Sequence, residues 1–265
     1  MPEQGDFATS IARIAGSLLK DRFKEKHRID YKGEIDIVTE ADRMSEEVLV
    51  TEISRRFPDH NILSEEAAEI ERGSRHRWVI DPLDGTTNYA HGFPMFCVSI
   101  ALEKDGQIIT GVIYSPVSDE LFVAGKGEGA FLDGSRISVS GTTEISESLL
   151  TTGFPYDIRR DPNNNINYFS EMALRTQGIR RTGSAALDLA YTAAGRFDGF
   201  WELKLHPWDT AAGWLLVSEA GGVVTDISGG NYRLDSPSIL ASNGKIHDGM
   251  IRMLDSINPA DRRLV

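Results

Sequence analysis

The stretch Trp78-Val79-Ile80-Asp81-Pro82-Leu83-Asp84-Gly85-Thr86-Thr87-Asn88 joins an apolar run to a polar turn. The apolar run predicts a strand. Pro82 and Gly85 predict that the strand ends in a tight turn, because proline donates no backbone hydrogen bond and glycine adopts backbone angles closed to other residues. Asp81 and Asp84 should then project from one turn, with the carbonyl of Leu83 left free. Hard oxygen ligands in this arrangement favour Mg²⁺.

A helix can begin directly after this turn, at Thr86, and the unpaired N–H groups of a helix start form a cradle for phosphate. The same residue types are also common in ordinary surface turns. Two further acidic junctions, Glu65-Glu66 and Asp209, favour the functional interpretation. Converging carboxylates repel one another and are costly to desolvate, so a fold that gathers them needs cations or shared protons. The sequence therefore predicts metal-assisted phosphate hydrolysis.

Four blocks of the chain resemble the inositol monophosphatase family of Mg²⁺-dependent, lithium-sensitive sugar phosphatases. They occupy residues 36–42, 64–66, 81–88 and 208–222, in the family's order and at compatible intervals. The last two blocks are long and ungapped, and are far more specific than a lone glycine motif. The resemblance implies a layered αβαβα sugar-phosphatase fold, with an antiparallel sheet in the first half and a mixed α/β second half.

The resemblance also implies a metal-ligand set in this sequence. Glu65, Asp81 and the Leu83 carbonyl would hold one Mg²⁺, and Asp81, Asp84 and Asp209 a second. A third, weaker Mg²⁺ near Glu65 is a family feature, so two to three ions per subunit are expected, with Mn²⁺ as a substitute. In such sites a metal-activated water attacks phosphate, and no covalent enzyme intermediate is needed. Asp209 has an alternative interpretation, because a carboxylate at the beginning of a helix is a good cap.

The family pattern assigns catalysis to Thr86, Asp42 and Glu65. It places the Thr86 hydroxyl, polarised by Asp42, against the attacking water, with Thr39 in support of Asp42. Backbone N–H groups of Gly85 and Thr86 would grip phosphate. The full set of substrate contacts that the resemblance implies is Asp84, Gly85, Thr86, Gly183, Ser184, Ala185, Glu202 and Asp209.

Glu202 is the best indication of the substrate class. A carboxylate accepts hydrogen bonds from polyol hydroxyls and repels a second phosphate, which favours a monophosphate. Myo-inositol 1-phosphate is therefore the leading substrate. Members that hydrolyse histidinol phosphate, fructose 1,6-bisphosphate or adenosine bisphosphate remain alternatives. Some bacterial members of the family act by attaching to the transcription machinery, so a regulatory binding role is an alternative of a different kind.

Composition limits the partners. With 265 residues, 40% of them hydrophobic, the chain can build a substantial core. The formal net charge of −12 disfavours direct binding to nucleic acid or to an anionic membrane. The N-terminus lacks a long uncharged apolar run, so a cytoplasmic protein is expected. A small-molecule phosphate ester is the expected partner, and the family resemblance implies a homodimer.

Hydrophobic periodicity predicts two domains, an α+β domain with an antiparallel sheet over residues 1–141 and an α/β domain over residues 142–265. The resemblance implies that the first domain carries most metal ligands and that the second carries the contacts to the substrate ring and Asp209. The first domain should contain an N-terminal helix, a helix over 44–57 and a hairpin of strands 96–102 and 108–114. The second should contain strands at 149–152, 179–182 and 197–202, and helices at 166–176 and 184–194.

Four smaller predictions concern single residues and short segments outside these motifs. Residues 162–165 should form a flexible surface loop. Lys32 could help to bind phosphate, because relatives in the family often carry a basic residue there, but we expect an exposed lysine on a mobile loop. Cys97 should be a buried thiol on a strand. Arg180 and Arg181 could contact an anionic substrate or, as we prefer, another subunit.

Overall fold

A computed structural model describes residues 3–25 and 29–257 of the chain. The predictions for residues 1–2, 26–28 and 258–265 lie outside this part. The α-helices are α1 (Glu3–Arg22), α2 (Glu40–Arg56), α3 (Thr86–Ala90), α4 (Ile166–Ala173), α5 (Ala185–Ala193), α6 (Pro207–Glu219) and α7 (His247–Asp255). The strands are β1 (Ile29–Tyr31), β2 (Ile37–Thr39), β3 (Asn61–Ser64), β4 (His76–Asp84), β5 (Cys97–Lys104), β6 (Gln107–Ser115), β7 (Glu120–Gly125), β8 (Gly129–Leu132), β9 (Ser135–Arg136), β10 (Leu149–Thr152), β11 (Gly178–Arg180), β12 (Gly199–Leu203), β13 (Val223–Thr225) and β14 (Ser238–Ser242).

The first half of the chain builds a seven-stranded sheet in the order β3-β4-β5-β6-β7-β8-β9. Only the β3–β4 pair is parallel, and every later pair is antiparallel. The predicted hairpin is present as β5–β6. Its turn contains Asp105 and Gly106, both with positive φ, which is the backbone twist that a tight hairpin requires.

The second half builds a five-stranded mixed sheet in the order β11-β10-β12-β14-β13. The β11–β10 and β10–β12 pairs are parallel, whereas β12–β14 and β14–β13 are antiparallel. Parallel strands require crossover connections, and α4 and α5 fill the chain between them.

Helices and sheets stack in five layers. Helices α1 and α2 cover one face of the seven-stranded sheet, and α5 and α6 lie between the two sheets. The outer face of the five-stranded sheet packs against α4 and α7 around buried Trp201, Leu240 and Met250. This arrangement confirms the αβαβα fold that the sequence implied. The middle core joins both halves, and the boundary near residue 141 stays a proposal.

Two helix boundaries differ from the predicted ones. Helix α2 begins at Glu40, four residues before the predicted start, because the Thr39 side chain accepts a hydrogen bond from the N–H of Ala41. Helix α4 ends at Ala173, before the predicted residue 176. Across the described residues, none of the helices is long and apolar enough to span a bilayer.

Candidate active site

The acidic motif lies at the end of β4, where the strand is irregular. Pairing with β5 loses its register between Asp81 and Asp84, the interval that contains Pro82, which has no N–H to donate. The Pro82 carbonyl instead accepts a hydrogen bond from the Ser45 hydroxyl of α2 at 2.7 Å. Strand β4 thus continues to Asp84, so the prediction that both aspartates project from a turn after the strand is wrong, and both lie in the irregular last part of β4.

Gly85 allows the chain to turn from β4 into α3. Its φ is 98°, and a Cβ there would lie 2.9 Å from the carbonyl oxygen of Met95. Both the backbone angle and the lack of space require glycine. Helix α3 then begins at Thr86, the predicted position. Its five residues make it a single turn.

Asp42 links the start of α2 to the start of α3. One carboxylate oxygen accepts hydrogen bonds from the backbone N–H and the hydroxyl of Thr39, at 2.8 and 2.5 Å. The other accepts a hydrogen bond from the hydroxyl of Thr86 at 2.8 Å. Burial raises the pKa of Asp42, and these donors oppose the rise. Thr39, Asp42 and Thr86, which the family pattern assigns to one function, therefore lie in contact in the structure.

The four predicted carboxylate ligands lie close enough to repel one another. Burial first, and then the charges of Glu65, Asp84 and Asp209, raise the pKa of Asp81 well above its usual range. Burial and the charges of Glu65 and Asp84 do the same to the pKa of Asp209. Burial also raises the pKa of Glu65, to about 7, despite the nearby charge of Lys32. Such a cluster is poorly compensated without added positive charge.

Lys32 supplies part of that charge. It is exposed, as predicted, but the sequence did not predict that it pairs with the acidic cluster. Its Nζ atom donates to Glu65 at 2.8 Å and to Glu66 at 2.5 Å. Partial burial works against the ammonium charge, but the two carboxylates outweigh it and raise the pKa of Lys32. The contacts join residues more than thirty positions apart, so no local sequence pattern could have indicated them.

Asp84 is held by the beginning of α5 in the second half of the chain. Its Oδ2 atom accepts hydrogen bonds from the hydroxyl of Ser184 at 2.6 Å and from the N–H of Ala186 at 2.8 Å. Ser184 is the N-cap of α5 and also accepts from the N–H of Leu187. Cys97 is buried on β5, as predicted, with its Sγ atom 3.7 Å from Asp84. The motif thus connects the two sheets.

Asp209 lies in the first turn of α6 and accepts a hydrogen bond from the N–H of His206 at 2.7 Å. The capping interpretation of this residue is therefore correct. It does not exclude a ligand role, because the same carboxylate also borders the cleft and feels the charges of Glu65 and Asp84. One carboxylate oxygen is engaged by the backbone.

A cleft opens between the two sheets at this point. Its walls include all eight residues predicted to contact substrate, namely Asp84, Gly85, Thr86, Gly183, Ser184, Ala185, Glu202 and Asp209. The other predicted site residues, Asp42, Glu65, Asp81 and Leu83, do not line the cleft. Of these, Asp42, Asp81 and Leu83 are buried behind its wall. The structure thus brings all eight predicted substrate-contact residues into one cleft. Their roles in binding substrate are a proposal.

The cleft also contains residues outside the predicted set of substrate contacts. Asp188 on α5 is buried and receives a hydrogen bond from Thr182 at 2.6 Å. Tyr156, Arg181 and Lys204 are among the other residues of the cleft walls. One signal in the sequence could have revealed Asp188. It lies four residues after Ser184 at the beginning of α5, and residues four apart share a helix face. Arg181 borders the cleft, which favours the substrate-side interpretation over a subunit contact.

The chemistry of the cluster suits a hard divalent cation. Carboxylate and carbonyl oxygens are what Mg²⁺ prefers, and the raised pKa values of Asp81, Asp209 and Glu65 report charge that a cation would neutralise. In the part of the chain described here, no three acidic, histidine or cysteine side chains already converge as a formed metal site. Lys32 engages Glu65, and Ser184 and Ala186 engage Asp84. Side-chain rotation would therefore accompany metal binding.

Known proteins are similar to this chain over nearly its whole length. The description of the inositol monophosphatase family matches residues 3–258. An inositol-1-monophosphatase of Mesorhizobium japonicum is 44% identical over 244 residues, covering 91% of this chain and 92% of that protein. The Nus factor SuhB of Escherichia coli is 41% identical over 262 residues, with 97% and 98% covered. A solved inositol monophosphatase from Anabaena superposes with a TM-score of 0.88 at 46% identity, over 96% of each chain.

These likenesses extend over nearly the whole chain and include every element that surrounds the cleft. They agree with the layered fold. Metal dependence is general in this family. The chain belongs to the inositol monophosphatase family of phosphoric monoester hydrolases.

Proposed function

We propose that this chain hydrolyses a sugar or polyol phosphate monoester with Mg²⁺, and that myo-inositol 1-phosphate is the leading substrate. The observation that carries the proposal is the meeting of the acidic cluster with a cleft that contains Glu202. The acidic cluster suits a metal ion and phosphate, and Glu202 suits a leaving group rich in hydroxyls. The name of the Mesorhizobium japonicum relative supports this substrate.

Glu65, Asp81 and the Leu83 carbonyl would hold one Mg²⁺, and Asp81, Asp84 and Asp209 a second. When bound, such ions lower the pKa of water and neutralise phosphate charge. Their number, and any third ion near Glu65, is part of the proposal. Lys32 donates a hydrogen bond to Glu65 and so neutralises part of its charge.

Thr86 and Asp42 would orient the attacking water. The Thr86 hydroxyl has one hydrogen, and it lies 2.8 Å from Asp42 Oδ1 and 3.1 Å from the Leu83 carbonyl. Donation to Asp42 leaves the Leu83 carbonyl free for a cation. It also leaves the lone pairs of the hydroxyl free to accept a hydrogen bond from water. The hydrogen bonds from Thr86 and Thr39 to Asp42 then fix the direction in which the Thr86 lone pairs point.

Glu202 would select the leaving group. Burial first, and then the charges of Asp188 and Asp209, raise the pKa of Glu202 well above its usual range, while Arg181 opposes the shift. Hydroxyl donors of a bound polyol would compensate this buried carboxylate, whereas a second phosphate would be repelled. A monophosphate of a polyol therefore fits better than fructose 1,6-bisphosphate or adenosine bisphosphate, and histidinol phosphate lacks the ring hydroxyls.

A panel of phosphate esters tests the proposal. Phosphate release should require Mg²⁺ and should be faster for myo-inositol 1-phosphate than for histidinol phosphate, the bisphosphates or an aryl phosphate. Asp81→Asn should lower kcat by several orders of magnitude, because the parts of a metal site act as a unit. The variant should fold, since asparagine has nearly the same size as aspartate and its side-chain oxygen can still accept the hydrogen bond from the N–H of Leu83. Full activity of Asp81→Asn, or equal rates for all esters, would contradict the assignment.

A second candidate role is supported by the Escherichia coli relative, whose name is Nus factor SuhB. This chain could attach to the transcription machinery independently of hydrolysis. The name of that relative also weakens the expectation that nucleic acid is not a partner, although the net charge of −12 favours a protein contact over a nucleic-acid contact. Dimerisation, lithium sensitivity and a cytoplasmic location stay predictions.

A variant that cannot hydrolyse phosphate separates the two roles. Asp84→Asn should be inactive, and it should be retained by purified transcription complexes as well as the wild type is if the second role is real. Absence of retention for both proteins would contradict the second role and leave the first intact. Retention that is lost with added RNA or single-stranded DNA would indicate a nucleic-acid contact instead of a protein contact.

A further inference from the structure

Asn165 is buried between the ends of β10 and β12, beside the cleft. It ends the segment 162–165, which the sequence predicted to be a flexible surface loop, and only 2% of its surface is exposed. Its φ is 75°, in the left-handed region that asparagine tolerates better than most residues. The prediction of a surface loop is therefore wrong for Asn165. The polar side chain of Asn165 can be buried because its nitrogen and oxygen atoms are hydrogen-bonded.

The side-chain amide of Asn165 makes three hydrogen bonds. Nδ2 donates to the Thr152 hydroxyl at 2.8 Å and to the Gly153 carbonyl at 2.5 Å. Oδ1 accepts from Nε1 of Trp201 at 2.7 Å. The indole N–H can only donate, so Oδ1 must face Trp201 and Nδ2 must face Gly153. This site requires an acceptor and two donors on one short side chain, which aspartate and leucine cannot provide.

The three partners of Asn165 fix the two strands that form one side of the cleft. Thr152 pairs with Trp201 in the parallel register of β10 and β12, and the Thr152 hydroxyl also donates to the Trp201 carbonyl. Gly153 follows Thr152, and Glu202 follows Trp201. Both of these next residues line the cleft. The amide therefore clamps together the residues that immediately precede two cleft residues.

Gly153 and Glu202 approach closely. A Cβ at Gly153 would lie 2.2 Å from Oε1 of Glu202, far inside van der Waals contact. The carboxylate therefore rests directly against the backbone whose carbonyl Asn165 holds. A shift of Gly153 by a fraction of an ångström moves a wall against which Glu202 packs. The clamp controls where the Glu202 oxygens lie in the cleft.

We propose that Asn165 is a positioning residue that sets the place of the Glu202 carboxylate and thereby the preference for a polyol leaving group. The inference rests on the proposed function, because it assigns Glu202 to the leaving group. Asn165 does not touch the phosphate-side residues Asp81, Asp84 or Thr86. Its loss should consequently change the discrimination between esters more than the hydrolysis of the phosphate group itself.

Two variants that preserve shape test the proposal. Asn165→Asp keeps the acceptor for Trp201 but removes both donors, and Trp201→Phe keeps a ring in the core but removes the indole donor. Asn163→Asp is the matched control. Asn163 is exposed and lies in the same segment, and this substitution changes the charge by the same amount. For each protein, kcat and KM are measured with myo-inositol 1-phosphate and with p-nitrophenyl phosphate, and the melting temperature is recorded.

In both variants, kcat/KM for myo-inositol 1-phosphate divided by kcat/KM for p-nitrophenyl phosphate should fall by about tenfold or more, mainly because KM for the inositol ester rises. Small displacements in a site have effects of this size. The control should keep the wild-type ratio. A lower melting temperature with an unchanged ratio would overturn the inference and leave Asn165 a structural residue. If Asn165→Asp does not fold, an unchanged ratio in Trp201→Phe is sufficient to overturn it. A wild-type enzyme that lacks the preference would contradict the proposed function, and the inference with it.

Discussion

The Thr86 hydroxyl donates a hydrogen bond of 2.8 Å to Oδ1 of Asp42, a residue 44 positions earlier in the chain. Asp42 is fixed in turn by the backbone and hydroxyl of Thr39, which caps α2. The beginnings of two helices therefore hold one hydroxyl in a single orientation. This relationship connects the capping of a helix to the proposed handling of water.

Loss of that hydroxyl should reduce turnover without weakening metal binding. In Thr86→Ala we expect kcat to fall by about a hundredfold or more, the usual size of a proton-accepting contribution. The apparent Mg²⁺ affinity should stay within about twofold of the wild type, because Thr86 is not a proposed ligand. Steady-state kinetics over a Mg²⁺ titration measure both quantities. Thr51→Ala, at an exposed position of α2 that does not line the cleft, is the control. Weakened Mg²⁺ affinity would make Thr86 a ligand.

The raised pKa of Glu65 predicts how pH affects the metal-free protein. Its folded pKa of about 7 lies above the ordinary value of 4.5, so its favourable contribution is complete at low pH and is lost as pH rises through 7. The free energy of unfolding of the wild type relative to Glu65→Gln should fall by about 2 kcal/mol between roughly pH 5.5 and pH 8.5.

Urea unfolding in the presence of EDTA provides the measurement. His60 and His247, whose pKa values are lowered by burial, titrate over part of the same range in both proteins and cancel in the difference. Added Mg²⁺ should raise the wild-type free energy of unfolding more at the higher pH, since protons compete with the metal for carboxylates. A difference that does not depend on pH would show that Glu65 is ionised throughout.

Sequence was a good guide to the elements whose causes are local. The apolar spacing of α1, the Asp105-Gly106 hairpin turn and the run that becomes β4 each depend on neighbours along the chain, and each lies close to its predicted place. The resemblance added the αβαβα stacking and the residues that border the cleft. Together these gave the outline of the site.

The remaining features depend on contacts between distant segments. Lys32 meets Glu65 and Glu66 only after β2 and β3 have been placed, so its carboxylate partners could not be predicted from the sequence. Asp188 looks like an ordinary helical residue until the cleft is formed beside α5. Asn165 reads as a polar loop residue, because its partners Thr152 and Trp201 lie 13 and 36 positions away.

Lys32 should stabilise the metal-free cluster more than the metal-loaded one. Lys32→Met removes two charged hydrogen bonds and leaves Glu65 and Glu66 to repel each other. We expect the free energy of unfolding to fall by about 1–3 kcal/mol in EDTA at about pH 8, and by less in saturating Mg²⁺. Chemical unfolding in both buffers measures the two losses. Lys126→Met, at an exposed lysine, should have little effect in either buffer. Equal losses would indicate that Lys32 acts independently of the metal site.

Gly153 should not tolerate a side chain. In Gly153→Ala the new methyl group would overlap the Glu202 carboxylate, so we expect a loss of about 1–3 kcal/mol in stability or a displaced Glu202, with a higher KM for the inositol ester. Gly141→Ala is the matched control, because its Cβ would approach nothing closer than 3.8 Å. Thermal unfolding and steady-state kinetics decide the outcome. Wild-type stability together with wild-type KM would show that Glu202 moves freely.

The location of bound Mn²⁺ is the most direct test of the acidic cluster as a metal site. Crystals soaked in Mn²⁺ should show anomalous difference density at two positions that share Asp81. One should also contact Glu65 and the Leu83 carbonyl, and the other Asp84 and Asp209. Lys32 should have left Glu65. Density at other surfaces only, or Glu65, Asp81, Asp84 and Asp209 free of metal at saturating Mn²⁺, would contradict the account.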